Sequence, residues 1–240
     1  MSSTKGMPSG GDRKRRGRHF AAVRIVAALP AWGLAMLLTA ASGCAPTGQQ
    51  PKGLTRLFNG KDLTGWEVLS EGFFDAAGKV HVENGQIFLG AGDAMTGIRY
   101  KGEFPSDDFE VKLDGMRVDG GDFFCGMTFP VAGGYATLIL GGWGGTVVGL
   151  SNVDGLAADE NETTTCIDFA NKRWYRIHLL VTEGHVDVWI DNEKVIELKT
   201  AGRKFAVWPQ QEDARPFGIT TWHTAGALKN ITLRRLHPRK

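Results

Sequence analysis

From Thr55 onwards, apolar and polar side chains alternate with a period of two, and no stretch shows the i, i+3, i+4 recurrence of an amphipathic helix. Lys79 to Leu89 is the clearest unit. Its Asn84-Gly85 pair suits the positive φ angles of a type I′ turn, which predicts a hairpin with Val82 opposite Ile87 and Val80 opposite Leu89. Phe109, Val111 and Leu113 fall on one face of a following strand, with Glu110, Lys112 and Asp114 on the other. Further strands are predicted over 123–129, 135–140, 146–150, 217–222 and 230–236, set apart by Gly-rich turns.

The segment from Trp174 to Ile190 is legible to the level of register. Tyr175, Ile177, Leu179 and Val181 alternate with Trp174, Arg176, His178 and Leu180. A two-residue turn at Glu183-Gly184 then sets Val181 against Val186 and Leu179 against Val188. The opposite face receives His178 beside Trp189 and Arg176 beside Asp191. A slip of one residue would bury Arg176 and Asp187, at a cost no packing gain could offset. A dozen or so short strands with 33 glycines predict an all-β sandwich of two antiparallel sheets.

The first 43 residues read differently. Arg13, Lys14, Arg15, Arg16 and Arg18 form a basic region, residues 25–40 are mostly apolar, and Ala41-Ser42-Gly43-Cys44 resembles a bacterial lipobox. The expectation is a lipoprotein signal over 1–43, lipidation of Cys44, and anchoring in the membrane of the cell envelope. Two alternatives stay open: a single spanning helix, although Arg24 and Pro30 shorten the apolar run below the ~20 residues a span needs, and a twin-arginine export signal at Arg15-Arg16. Residues 44–54, with two Pro, two Gly and two Gln between Ala45 and Gly53, read as a flexible tether, and 55–240 as one domain.

Removing that leader reverses the charge. It holds seven of the 28 basic residues and one of the 26 acidic ones, which leaves 21 against 25 and a net charge of −4. Nucleic acid therefore has no electrostatic support as a partner. Cys125 and Cys166 either pair in an oxidising envelope or stay free. The chain has no Gly-x-Ser-x-Gly nucleophile, no phosphate-binding Gly-rich loop, no Cys-x-x-Cys, and no Glu-x-Asp-x-x-Glu of the kind that retaining glycosidases carry along one strand.

Leu57-Phe58-Asn59-Gly60-Lys61-Asp62-Leu63-Thr64-Gly65-Trp66 reads as an apolar pair entering a strand, a polar turn, and a second strand anchored by an indole. This stretch resembles the opening signature of the 3-keto-disaccharide hydrolase family, once known only as a domain of unknown function. The ending, residues 217–222 and 229–236, is similar to the last strands of that family. The resemblance implies a concanavalin A-like jelly roll, a fold shared by glycan hydrolases and plain binding modules, and chemistry on oxidised sugars.

Sugar sites on such sandwiches combine an exposed aromatic platform with convergent polar groups. Trp143, flanked by four glycines at 141–145, is the candidate platform, with Asp122, Asn161 and Trp222 as further substrate contacts. The family chemistry needs a base near C2 of the sugar, an electrophile for the enolate oxygen and a proton donor for the leaving oxygen. Glu162 or Asp154 is the expected base, His223 the donor or a ligand, and a divalent metal ion the expected electrophile. A solvated acidic loop is the plain alternative for residues 152–164, and His81, His178 and His185 have no metal-ligand spacing. The rivals to an enzyme are a lipid-tethered lectin using the same tryptophan, and a purely structural envelope protein.

Overall fold

The computed structural model describes residues 53–236 apart from Glu71 and Asp75; the expected signal, Cys44 and most of the tether lie outside the described residues. Among the described residues fifteen strands follow in chain order: β1 (Leu54–Arg56), β2 (Trp66–Leu69), β3 (Val80–Glu83), β4 (Gln86–Leu89), β5 (Met95–Tyr100), β6 (Phe109–Asp119), β7 (Cys125–Val131), β8 (Gly134–Gly142), β9 (Val147–Ser151), β10 (Thr165–Cys166), β11 (Trp174–Val181), β12 (His185–Ile190), β13 (Glu193–Lys199), β14 (Gly218–Trp222) and β15 (Ala225–Arg235). One 3-10 helix, Pro209–Ala214, precedes β14.

The strands form two antiparallel sheets. One runs β13-β12-β11-β6-β15-β4-β3, with β1 also on β15; the other runs β10-β9-β8-β7-β14-β5-β2. This is the concanavalin A-like jelly-roll sandwich. Its core is the set of inward positions of both sheets, with Val111, Leu113, Ile177, Leu179 and Val188 from the first facing Met127, Phe129, Leu138, Leu150 and Ile219 from the second. Each of these is at most 1% exposed, and burying such a side chain contributes about 1.5–3 kcal/mol.

The predicted registers hold. Val82 pairs with Ile87 and Val80 with Leu89, across a turn with Asn84 at φ 50° and Gly85 at φ 76°. Val181 pairs with Val186, Leu179 with Val188, and His178 with Trp189, whose rings stack at 4.6 Å. The Arg176 N–H donates to Asp191 Oδ1 at 2.9 Å. β15 starts at Ala225, five residues before the predicted strand. A bulge between Lys229 and Thr232, with Asn230 at φ 55°, shifts its alternation so that Leu228, Ile231 and Leu233 all face the core.

The opening segment is not a hairpin. Leu57 and Phe58 lie outside any strand, β1 joins β15 in one sheet, and β2 joins β5 in the other. Residues 57–66 are thus a strap crossing the sandwich. Asn59 Oδ1 accepts from the amides of Lys61 and Asp62 at 2.8 and 3.0 Å, and Asp62 Oδ1 accepts from the Thr64 amide at 2.9 Å. Bonds from Thr64 and Asn59 hold the Asp62 carboxyl down at about 2. The Trp66 indole donates back to the Leu57 carbonyl at 2.8 Å and closes the strap. The cysteines are unbridged: Cys125 is buried in the core and Cys166 is exposed on β10.

Candidate functional site

The outer face of the β10–β2 sheet carries mostly small residues. Gly97, Thr220, Gly126, Ile139 and Gly149 lie in one row across five strands, and Arg99, Gly218, Thr128, Thr137 and Ser151 in the next. Most of these glycines let covering segments come down onto the sheet. A Cβ on Gly149 would lie 2.3 Å from the Ala158 carbonyl, and one on Gly218 2.6 Å from that of Ala214. The 3-10 helix is pinned by a buried amide: Gln211 Oε1 accepts from Thr220 Oγ1 at 3.1 Å and Thr128 Oγ1 at 3.4 Å, and Thr128 bonds Thr137 at 3.0 Å.

What stays uncovered is a cleft of about 260 Å³. Its aromatic walls are Trp143, Trp208, Trp222 and Phe123, its apolar floor is Ile139 and Met95, and its polar groups are Asp122, Thr137, Ser151, Gln210 and Gln211. Trp143 and Trp208 are 43% and 44% exposed, so both indoles are open to solvent at the rim. Trp208 is oriented by a 2.6 Å bond from its Nε1 to Asn152 Oδ1. Trp222 is half-buried against Phe123, at 6.3 Å between ring centroids.

Trp143 and Asp122 are structurally coupled. The turn Gly142–Gly145 closes with a 3.1 Å bond from the Gly145 amide to the Gly142 carbonyl, with Trp143 at φ 48° and Gly144 at φ 85°. Positive φ is unfavourable for so bulky a residue, so the turn needs outside support. Asp122 supplies part of it: Oδ2 accepts from the Gly144 amide at 3.3 Å, and Oδ1 from the Phe123 amide at 2.7 Å. Asp122 is the only titratable side chain among the described residues lining the cleft.

The other candidates sit elsewhere. Asp154 and Glu162 both pair with Arg203, Asp154 at 2.8 Å, and Asp154 Oδ1 also accepts from the Lys204 amide at 2.8 Å. Hydrogen bonding to Arg203 holds the Asp154 carboxyl below the ordinary carboxylate range, which favours an anion over a proton acceptor. Asn161 organises its own loop. Its Nδ2 donates to the carbonyls of Leu150 and Ala157 at 2.8 and 2.6 Å, and its Oδ1 accepts from Thr163 Oγ1 at 2.6 Å. His223 is exposed, edge-on to Trp222 at 5.3 Å, and does not line the cleft. Among the described residues no group of three or more His, Cys, Asp or Glu is arranged to hold a metal ion. In the cleft lining Asp122 has no second carboxylate, imidazole or thiol beside it.

Trp208, Gln210, Gln211, Thr137 and Ser151 were not among the residues singled out from the sequence. A tryptophan followed by Pro-Gln-Gln, and threonines recurring at outward positions of β7, β8 and β14, are the signals that point to them.

The sequence profile of the 3-keto-alpha-glucoside-1,2-lyase-like domain matches residues 53–234. The chain belongs to this family. Its lyase-like domain spans the whole sandwich, and the chain is carbohydrate-active in the broad sense that the family is. No curated protein matches the chain. Among solved structures, a "putative glycosyl hydrolase" from Parabacteroides distasonis is 19% identical over 77% of this chain and 94% of that one, with a TM-score of 0.51. Crh5 transglycosylase in complex with NAG is 12% identical over 78% and 85%, with a TM-score of 0.52. A Bacillus subtilis protein with a galectin-like fold is 10% identical over 72% and 90%, with a TM-score of 0.51. At these identities the likeness is one of fold.

Proposed function

We propose that the lyase-like domain binds a glycoside in the Trp143–Trp208–Trp222 cleft and cleaves 3-keto-glucosides by elimination. The observation that carries this reading is the lining itself: three indoles, hydroxyl and amide groups, and one carboxylate. Indole faces stack on the C–H faces of a pyranose, while Thr137, Ser151 and Gln211 offer hydrogen bonds to its oxygens. Hydrolysis of an ordinary glycoside needs two carboxyl groups flanking the bond, about 5–9.5 Å apart. Elimination needs one base.

In that reaction the C3 carbonyl acidifies the hydrogen at C2. Asp122 takes this proton, and the electrons of the C2–H bond pass into the enolate, whose oxygen is met by the hydroxyl and amide donors of the cleft. The enolate collapses to a C1=C2 double bond as the C1–O bond breaks, and the departing oxygen receives a proton from protonated Asp122. One glycoside gives one alcohol and one unsaturated keto-sugar, to whose C1=C2 bond water can add later. The roles assigned from sequence to Glu162, Asp154 and His223 pass to Asp122 in this reading.

A binding module is the second reading. It is favoured by the two backbone amides that already engage Asp122, which suit a carboxylate holding the Trp143 turn in place. A methyl 3-keto-α-glucoside separates the two: the enzyme releases methanol and an enone absorbing in the ultraviolet, while the module binds the sugar unchanged. Loss of neither binding nor turnover in Trp208→Ala or Trp143→Ala would remove the cleft from both. The envelope location and the lipid on Cys44 belong to the same proposal, with a soluble Cys44→Ala variant in cell fractionation as the expected result.

A further inference from the structure

Continuing the alternation of β6 past Phe109, Val111 and Leu113 puts Gly115 and Arg117 on its core-facing side. A charged residue at an inward position needs a reason. Arg117 is 8% exposed and has no carboxylate within salt-bridge distance among the described residues. Its guanidinium instead meets three oxygens: Nη1 donates to the Gly145 carbonyl at 3.1 Å, Nη2 to that of Phe169, and Nε to Asn171 Oδ1 at 2.7 Å. Gly145, at φ 107°, has room for this only because it lacks a side chain; a Cβ there would lie 2.7 Å from Arg117 Nη1.

Gly145 ends the turn that carries Trp143. That turn, from one sheet, is therefore gripped by a buried cation from the other, while Asp122 holds its tip at Gly144. We propose that Arg117 is a positioning residue for the cleft, which fixes the left-handed Trp143 backbone and thereby aims the indole at the ligand. The planar fork of an arginine reaches several acceptors at fixed angles, whereas the single ammonium of lysine cannot hold all three. Positioning of this kind acts on affinity through Trp143, without contact between Arg117 and the ligand.

The affinity arm rests on the glycoside reading, so the decisive readout is chosen to be independent of it. In Arg117→Lys, amide hydrogen exchange over residues 142–146 is expected to rise at least ~10-fold while the amides of β11 keep their protection, because the effect is local. Unchanged exchange over 142–146 overturns the proposal whether or not any sugar binds. A variant that unfolds globally is replaced by Gly145→Ala, which breaks the same contact from its other end and is decided by the same exchange criterion. With methyl 3-keto-α-glucoside as the probe, Arg117→Lys should weaken binding about 10-fold in the native background and not at all in Trp143→Ala. Equal losses in both backgrounds would mean that Arg117 does not act through Trp143, and would likewise overturn it.

Discussion

Asp122 and Gly144 are joined across 22 residues by a 3.3 Å hydrogen bond, the amide donating to carboxylate Oδ2. The bond ties the one titratable side chain that lines the cleft among the described residues to the turn that presents Trp143. Position and charge are separable here. Asp122→Asn keeps an acceptor for only one of the two backbone amides and cannot take a proton at neutral pH, so turnover of a 3-keto-glucoside should fall by at least ~100-fold, far more than affinity, which loses no more than the 3.3 Å bond to Gly144. Asp122→Ala removes both roles and should weaken binding as well. Calorimetric titration beside a methanol-release assay separates the outcomes, and an Asn variant of undiminished turnover removes Asp122 as the base.

Gln211 is the keystone between the 3-10 helix and the sheet. Truncation to Ala deprives two buried threonine hydroxyls, Thr128 and Thr220, of their shared acceptor and opens a void beneath Trp208 and Gln210. Thr128 keeps its bond to Thr137 and Thr220 its bond to the Gly126 carbonyl, so what is lost is two hydrogen bonds at about 0.5–1.5 kcal/mol each, together with the packing of a buried side chain. Gln211→Ala should therefore lower the melting temperature by several degrees and weaken glycoside binding together, whereas Gln210→Ala, at an exposed position, should leave the melting temperature unchanged.

These two sites show where sequence stops being legible. The register of β11 and β12 follows from period-two alternation and a two-residue turn, because a one-residue slip would turn every aliphatic outward. The opening motif misleads, since strand–turn–strand reads the same whether the strands pair with each other or enter facing sheets. Trp143 is visible because its glycine neighbours are local. Trp208 is not, because its place depends on Gln211 docking onto Thr220 and Thr128, the latter 83 residues away. Asp154 and Glu162 look free in sequence because their partner, Arg203, lies 49 and 41 residues downstream.

The two domain cysteines should differ sharply in reactivity. Burial pushes the Cys125 thiol up to about 12, whereas Cys166 is exposed on the short edge strand β10. The thiolate is the reactive form, so access and ionisation act together. In a Cys44→Ser background, an aromatic disulfide reagent should titrate one thiol rapidly in the folded protein and the second only after guanidinium is added. Two fast thiols would mean that the core around Cys125 opens readily, and none would mean that the pair is bridged.

The outer face of the β13–β3 sheet predicts an acid-sensitive fold. Glu110 has a side chain only 8% exposed and meets Lys112 at 2.9 Å, Arg234 at 2.8 Å and His178 at 3.1 Å. Burial opposes the charge on Glu110, but the bonds from Lys112 and Arg234 outweigh it and hold the carboxyl below its usual value of 4.5. Burial, with Lys112 nearby, keeps the His178 imidazole below its usual 6.5 despite the adjoining Glu110, and Trp189 stacks on the neutral ring. Both shifts mean that the unfolded chain binds protons more readily than the folded one, so stability falls as pH falls. The His178 contribution is present above pH 6.5 and lost below it towards the depressed folded value; the Glu110 contribution is present above 4.5 and lost below that. Urea denaturation from pH 7.5 down to about pH 4 should show a continuous decline, the upper part of which flattens in His178→Gln. In Glu110→Gln the fold should already be weaker at pH 7.5, because Lys112 and Arg234 lose their shared anion. A stability maximum near pH 5 would mean that His178 is held as an imidazolium, and the stacked neutral ring would have to be abandoned.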